Sequence, residues 1–372
     1  MNIRKGLTLL FFMTALFVAS PQTVFAAPCS SPYYIEQQFP STGAEQTRWR
    51  LCWRMEKKYG LIITSADFRK SPTSPWVRVF WDARIAEIFV PYHTGTPRFY
   101  DIMNYNWPWV PITNTHCPAS AGKRLGSGPD ICKEVRDRGV SWADDALVRR
   151  GQELVLWGVI DASNYNYIIE WTFRDDGTIL GRSGATGLIF AGHEETGHMH
   201  TTTWRLDVDF NGSSGDSVYL GTHTETGLTG NDTQSQIFNE TGVTWDPEKF
   251  SEFNVYDATL KNARGHQSSY RLMPLRWGTA RHDEAFTKND FWVTRQKVGE
   301  LYAANLPSYV LPSDPVSGTD IVIWYSGSAH HRVRDEDGIH DAAGNWTGVT
   351  QMIWSAFTMM PHNLFDKSPL FP

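Results

Sequence analysis

The residues best placed to do chemistry in this chain begin at His198-Met199-His200, the head of the run His-Met-His-Thr-Thr-Thr-Trp-Arg-Leu-Asp-Val-Asp-Phe. If that run is a strand, its side chains alternate, and both imidazoles share a face with Thr202, Trp204, Leu206, Val208 and Phe210. Two neutral imidazoles two positions apart can chelate one metal ion, while apolar neighbours fix the rings and limit water. A third ligand is then needed. The plain alternative is a pair of partly buried, hydrogen-bonded histidines. His193 and Glu194 do not open a zinc-protease helix, because the next histidine comes five positions on, across Gly197. Arg205, Asp207 and Asp209 fall on the opposite face. Alternating carboxylates there either bind a hard cation through oxygen or face solvent, and the pattern alone predicts solvent. Tyr165 shares a face with Tyr167, Ile169, Trp171 and Phe173, a stripe that periodicity alone assigns to the core.

The elements that must position these residues read as strands. The chain of 372 residues is rich in aromatics and punctuated by 30 Gly and 20 Pro, which favours strands and turns over long helices. Val77 to Tyr92 is β-branched and aromatic, and residues 94–128 form a Pro-, Asn- and Gly-rich loop region of the kind that often carries sites. Asn164 to Phe173 alternates cleanly before Asp175-Asp176-Gly177-Thr178, a hairpin turn leading into Ile179-Leu180. Short helical windows are expected only at places such as Asp290 to Ala304. With no repeat, low-complexity block or linker, the expected architecture is all-β. It is one large sandwich over residues 49–372, after an irregular lead-in at 27–48.

Charge and compartment narrow the function. Lys and Arg number 34 against 40 Asp and Glu, for a net charge of −6 with no basic run, so nucleic acid is not an expected partner. Residues 1–26 read as a cleavable secretory signal: a basic start, an apolar stretch from Leu7 to Val18, and Val24-Phe25-Ala26 before the cut. The apolar stretch falls short of the roughly 20 residues that a membrane span needs, so no anchor is expected after removal. The mature protein is expected to be secreted or periplasmic. Four cysteines in an oxidising compartment suggest two disulfides. Three pairings are possible; a local Cys117–Cys132 bridge is the simplest, with Cys29–Cys52 following.

Read together, these pieces resemble the copper-containing amine oxidases. Asp161-Ala-Ser-Asn164-Tyr165-Asn166-Tyr167 is similar to that family's Thr-x-x-Asn-Tyr-(Asp/Glu)-Tyr segment, which supplies a tyrosine oxidised to topaquinone. Trp171 to Ile179 and Gly184-Ala-Thr-Gly187 also look like the family. His198-Met-His200 with Trp204 to Asp209 resembles its two-histidine copper strand, and Asp320-Ile-Val-Ile-Trp324 followed by His331 to Glu336 resembles the segment with the third copper histidine. The ending Phe357 to Pro369 resembles the family's closing segment. Upstream, Glu87-Ile-Phe-Val-Pro-Tyr92 looks like Glu-x-x-Val-Pro-Tyr, and Phe99-Tyr100-Asp101 sits where a catalytic aspartate follows. The family's smaller N-terminal domains have no counterpart in this resemblance.

The resemblance implies secreted, copper- and topaquinone-dependent deamination of primary amines by O2, giving aldehyde, ammonia and hydrogen peroxide. It implies copper on His198, His200 and His331, with His330 the less favoured neighbour, and Tyr165 as the topaquinone precursor. Asp101 becomes the base, Tyr92 a hydrogen-bond partner of the cofactor, and Asn164 part of its motif. Burial among Phe99, Tyr105 and Trp107 would bring the basicity of Asp101 nearer the working pH. A peripheral calcium site is implied at Asp207, Asp209 and Asp320, with the carbonyl of Val208 or Ile321, and so is a homodimer. Two positions depart from the pattern: Asp161 stands for Thr, and Asn166 for Asp or Glu. They keep open a different class, a non-catalytic copper-binding sandwich in which Tyr165 stays an ordinary core tyrosine.

Overall fold

The computed structural model describes residues 29–275, 284–338, 341–345 and 348–369, so the expected signal at 1–26 lies outside the described residues. The chain opens with β1 (Tyr34–Phe39), β2 (Thr47–Glu56), β3 (Gly60–Arg69), β4 (Val77–Pro91) and β5 (Arg98–Tyr100). There follow β6 (Lys123–Leu125), β7 (Ile131–Ala143), β8 (Val148–Ala162), β9 (Tyr165–Arg174) and β10 (Ile179–Gly187). Next come β11 (His198–Val208), β12 (Asp216–Thr226), β13 (Thr229–Ile237), β14 (Thr241–Val243), β15 (Glu252–Lys261) and β16 (Gln267–Pro274). The last strands are β17 (Phe291–Arg295), β18 (Ile321–His331) and β19 (Ile353–His362); among the described residues one α-helical turn, α1 (Leu306–Tyr309), and three 3-10 turns complete the elements.

These strands make two antiparallel sheets. One runs β1-β2-β3-β4-β11-β18-β17-β14 with β5 added to β4; the other runs β13-β12-β15-β16-β19-β10-β9-β8-β7-β6. The expected all-β sandwich is the observed fold. Its core forms between β9 and β11, each central in its own sheet. Trp171 of β9 meets Trp204 of β11 edge to face at 5.1 Å, and Phe357 of β19 packs on both. A Cβ at Gly181 would lie 2.5 Å from the Phe357 ring, so β10 passes flush against it.

Several expectations are met and others are corrected. Asp175 to Thr178 turns β9 into β10, and both disulfides, Cys29–Cys52 and Cys117–Cys132, are formed. The supposed irregular lead-in contains β1, which pairs along β2 and buries Ile35 and Phe39. The expected helical window at 290–304 holds β17, with only a 3-10 turn, Ala303–Asn305, at its end. There Phe291 and Val293 enter the main core while Trp292 joins a second cluster on the outer side, a period of two that only a strand provides. That second cluster explains another difference. β11 is buried along its whole length because the segment after β17 covers its outer face, where the Arg205 guanidinium donates to the carbonyl of Glu300 at 3.1 Å. No described helix is long and apolar enough to cross a membrane.

Phe357→Ala would leave a cavity among Trp171, Trp204 and Tyr325. A loss of about 3–5 kcal/mol in urea unfolding is expected; a loss below about 1 kcal/mol would mean that this aromatic layer does not hold the sheets together.

Candidate active site

Two central strands create the site. β11 and β18 are antiparallel neighbours with His198 directly opposite His331, and strand alternation returns His200 to the same inner face. One ligand atom from each of the three imidazoles lies within 4.8 Å of the others, and all three residues are buried. His331 Nδ1 is 3.1 Å from His198 Nε2. The remaining ring nitrogens are held from behind: His331 Nε2 is 3.2 Å from Asp337, His198 Nδ1 is 3.4 Å from the Thr196 carbonyl, and His200 Nδ1 is 3.4 Å from the Tyr167 hydroxyl. His200 Nε2 is buried with no hydrogen-bond partner. Burial, then the neighbouring His331, holds His198 down at about 3, and burial lowers His200 and His331 as well. The imidazoles are therefore neutral at pH 7, with lone pairs available. Three convergent neutral nitrogens, one of them an orphan, fit a transition metal. His330 points the other way and is exposed.

Tyr165 comes to this cluster from the opposite sheet. It follows a two-residue loop joining β8 to β9, in which Ser163 takes φ 67°. Asn164 pins the loop by donating from Nδ2 to the Leu188 carbonyl at 2.7 Å, while the Leu188 amide donates to the Asn164 carbonyl. A Cβ at Gly187 would lie 2.2 Å from that Asn164 carbonyl, so only glycine admits the approach. The Tyr165 hydroxyl is thereby placed 2.7 Å from His331 Nδ1 and 3.4 Å from His198 Nε2, with its ring 4.9 Å from that of His200. Burial raises its pKa above the ordinary phenol value. The two departures from the family motif, Asp161 and Asn166, are cross-strand partners. Strand alternation places them on the face of the sheet opposite to Tyr165 and Tyr167.

Asp101 completes the arrangement. The Tyr167 hydroxyl donates to its Oδ2 at 2.5 Å, and burial pushes its carboxyl up to about 6 against the pull of Tyr167 and Trp107. Tyr92 lies flat on His198, with ring centres 4.3 Å apart. Asp101, Tyr92, Tyr165, Tyr167, His198 and His200 all line one cavity of about 150 Å³. Sequence reasoning missed what steadies it. Glu87, fully buried at the inner end of β4, accepts from the amides of Ile88, Ile102 and Met103 at 3.0, 2.8 and 3.2 Å, clamping the turn that carries Asp101. Desolvation pushes the Glu87 carboxyl up to about 8. Asp337 behind His331 and Thr350 beside Gly187 also support the site, and their positions in loops offer no periodic signal in the sequence.

A second cluster lies toward the other end of β11. Carboxylate oxygens of Asp207, Asp209 and Asp320 fall within 4.8 Å of one another, and each residue keeps a buried oxygen without a partner. The solvated face expected for Asp207 and Asp209 is overturned, since they are 1% and 6% exposed. Burial and mutual repulsion push both up to about 7, opposed by Arg205 and Arg78 respectively. Val208 pairs with Ile321 next to them. Asp216 of β12, absent from the sequence reading, adds a buried carboxyl with both oxygens unpartnered, pushed up to about 9 by burial and by Asp257 opposite it. Such oxygen-only clusters suit a hard cation.

Residues 136–371 match the family model for the copper amine oxidase enzyme domain, and the chain belongs to that family. It is 27% identical to histamine oxidase of Arthrobacter globiformis over 289 residues, covering 64% of this chain and 41% of that protein. It is 24% identical over 417 residues to copper-containing amine oxidase gamma 1 of Arabidopsis thaliana, covering 87% of this chain and 56% of that protein. The chain thus spans about half the length of these curated relatives. The crystal structure of a copper-containing benzylamine oxidase from Hansenula polymorpha shares the fold, with a TM-score of 0.70 over 94% of this chain and 64% of that one, at 14% identity.

After copper loading and gel filtration, wild type and His330→Ala are expected to retain the ion and His331→Ala to lose it, measured by plasma mass spectrometry. The reverse pattern would place β18 one residue out of register.

Proposed function

We propose that this chain carries out copper- and topaquinone-dependent oxidation of primary amines, turning amine, O2 and water into aldehyde, ammonia and hydrogen peroxide. The observation that carries the reading is the Tyr165 hydroxyl, 2.7 Å from His331 Nδ1 at the point where three neutral imidazoles converge. Copper held by His198, His200 and His331 would supply the redox chemistry that converts the Tyr165 ring to topaquinone and passes electrons to O2, and the quinone would supply the electrophile for the amine. The chain's own residues do the rest. Asp101 takes a proton from the carbon bearing the nitrogen; Tyr167 occupies its Oδ2, which leaves Oδ1 to receive that proton. Tyr92, which the family likeness makes a hydrogen-bond partner of the cofactor, lies flat on His198, and Asn164 anchors the hairpin that carries Tyr165. Asp337 keeps His331 turned so that Nδ1 faces inward.

The same proposal takes the acidic cluster as a structural calcium site at Asp207, Asp209 and Asp320 with a carbonyl of Val208 or Ile321, supported by its unpartnered buried oxygens. It also takes the protein as exported, which suits its two disulfides, and as a homodimer, by likeness to its family.

Copper loading in air should produce a visible quinone band and a phenylhydrazine adduct on the Tyr165 peptide, both lost in Tyr165→Phe. Absence of both in the wild type would leave the non-catalytic copper-binding alternative. The pH dependence follows from Asp101: only its carboxylate accepts a proton, so kcat/KM should rise as pH climbs through about 6. Asp101→Asn should still form the hydrazine adduct but lose about 100-fold or more in turnover; undiminished peroxide release would remove Asp101 from the role.

A further inference from the structure

We infer that the cavity in front of Tyr165 selects amines that carry one ammonium group and an aromatic body, and disfavours diamines. The inference rests on the amine-oxidase reading and adds a substrate class to it. Two aromatic pairs line the cavity. Phe99 and Phe190 meet edge to face at 5.3 Å, and Tyr105 and Trp107 stack at 4.7 Å. Tyr105 and Phe190 are each 37% exposed, so they stand at the mouth, where a substrate ring would cover them. At about 150 Å³ the cavity has the size at which an apolar pocket takes up a single benzene ring.

Charge points the same way. Among the described residues the lining holds one carboxyl, that of Asp101, and the proposed chemistry at the reacting carbon uses it. A diamine must also place its distal ammonium somewhere. In this cavity that group meets ring faces and edges and the neutral polar groups of Ser163, Asn164 and the tyrosines, with no second carboxylate to receive its three N–H donors. A face-on ring returns part of the lost hydration, and less than a hydrogen-bonded carboxylate does. An aryl group meets no such cost and gains edge and stacking contacts with both pairs.

The test uses the full chain, copper-loaded and aerated, with hydrazine-reactive sites counted first. Peroxide release is then followed with benzylamine, 2-phenylethylamine and butane-1,4-diamine. The aryl amines should exceed the diamine in kcat/KM by about tenfold or more, and Phe190→Ala should shrink that ratio severalfold, mainly through KM for the aryl amines. Phe190→Leu, which keeps an apolar side chain there, should fall between. A diamine used as well as or better than the aryl amines, or a ratio unmoved by both variants, overturns the inference. If no hydrazine adduct forms, the deamination reading fails, and the cavity is judged by calorimetry on the same protein. Tighter binding of benzylammonium than of butane-1,4-diammonium then upholds the selectivity, and equal or weaker binding overturns it.

Discussion

The antiparallel pairing of β11 with β18 sets His198 opposite His331, and the rest of the site is built against that pair. Because side chains along a strand alternate with a period of two, a slip of one residue would bring exposed His330 inward and turn His331 out. The slip is opposed along the whole ladder. Ile321, Ile323 and Tyr325 of β18 share the inner face with His331 and would all leave the core with it. The chemistry of the site is thus held in place by ordinary apolar burial many residues away.

Burial also sets the protonation state of the site. Three imidazoles removed from water stay neutral, and a neutral imidazole is the form that binds a metal. Asp101 is moved toward the physiological range by the same desolvation, and Glu87, Tyr167 and the turn after β5 keep it against the cavity. Groups that water would otherwise hold at ordinary pKa values are shifted by the apolar walls around them, and Asp101 and Glu87 keep specific hydrogen-bond partners there. The acidic cluster at the far end of β11 carries that logic further. Asp207, Asp209 and Asp216 are buried together with too few donors, an arrangement that a cation relieves. From His200 to Asp207 a strand rises roughly 23 Å, so one fully buried strand carries two separate clusters of polar side chains.

Much of this was legible before any coordinates, because it depends on short-range geometry. The His198/His200 pair, the stripe from Tyr165 to Phe173 and the hairpin at Asp175 to Thr178 follow from the strand period and turn chemistry, which the backbone imposes locally. The likeness to a known family singles out His331 and Asp101, neither near His198 and His200 in sequence, and the fold brings both beside that pair. The Cys117–Cys132 bridge was legible because its partners are close along the chain.

What remained for the tertiary structure was everything decided by which element lies over which. Arg205, Asp207 and Asp209 looked solvent-facing because alternation names two faces but not their coverings; the segment after β17 buries the second. β1 and β17 pair with strands that local propensity does not reveal, so sequence pattern alone leaves the first irregular and makes the second helical. Asp337 and Asp216 carry no pattern of their own, and Glu87 opens a motif that does not say what it binds; their roles come from a histidine ring, a facing carboxylate and a buried amide cluster supplied by other parts of the chain. Sequence by itself determined the chemical groups and their spacing on each strand. Only the packing of two sheets brought the Tyr165 hydroxyl to the histidine nitrogens, because that contact joins strands held together by non-local burial rather than by any preference of their own.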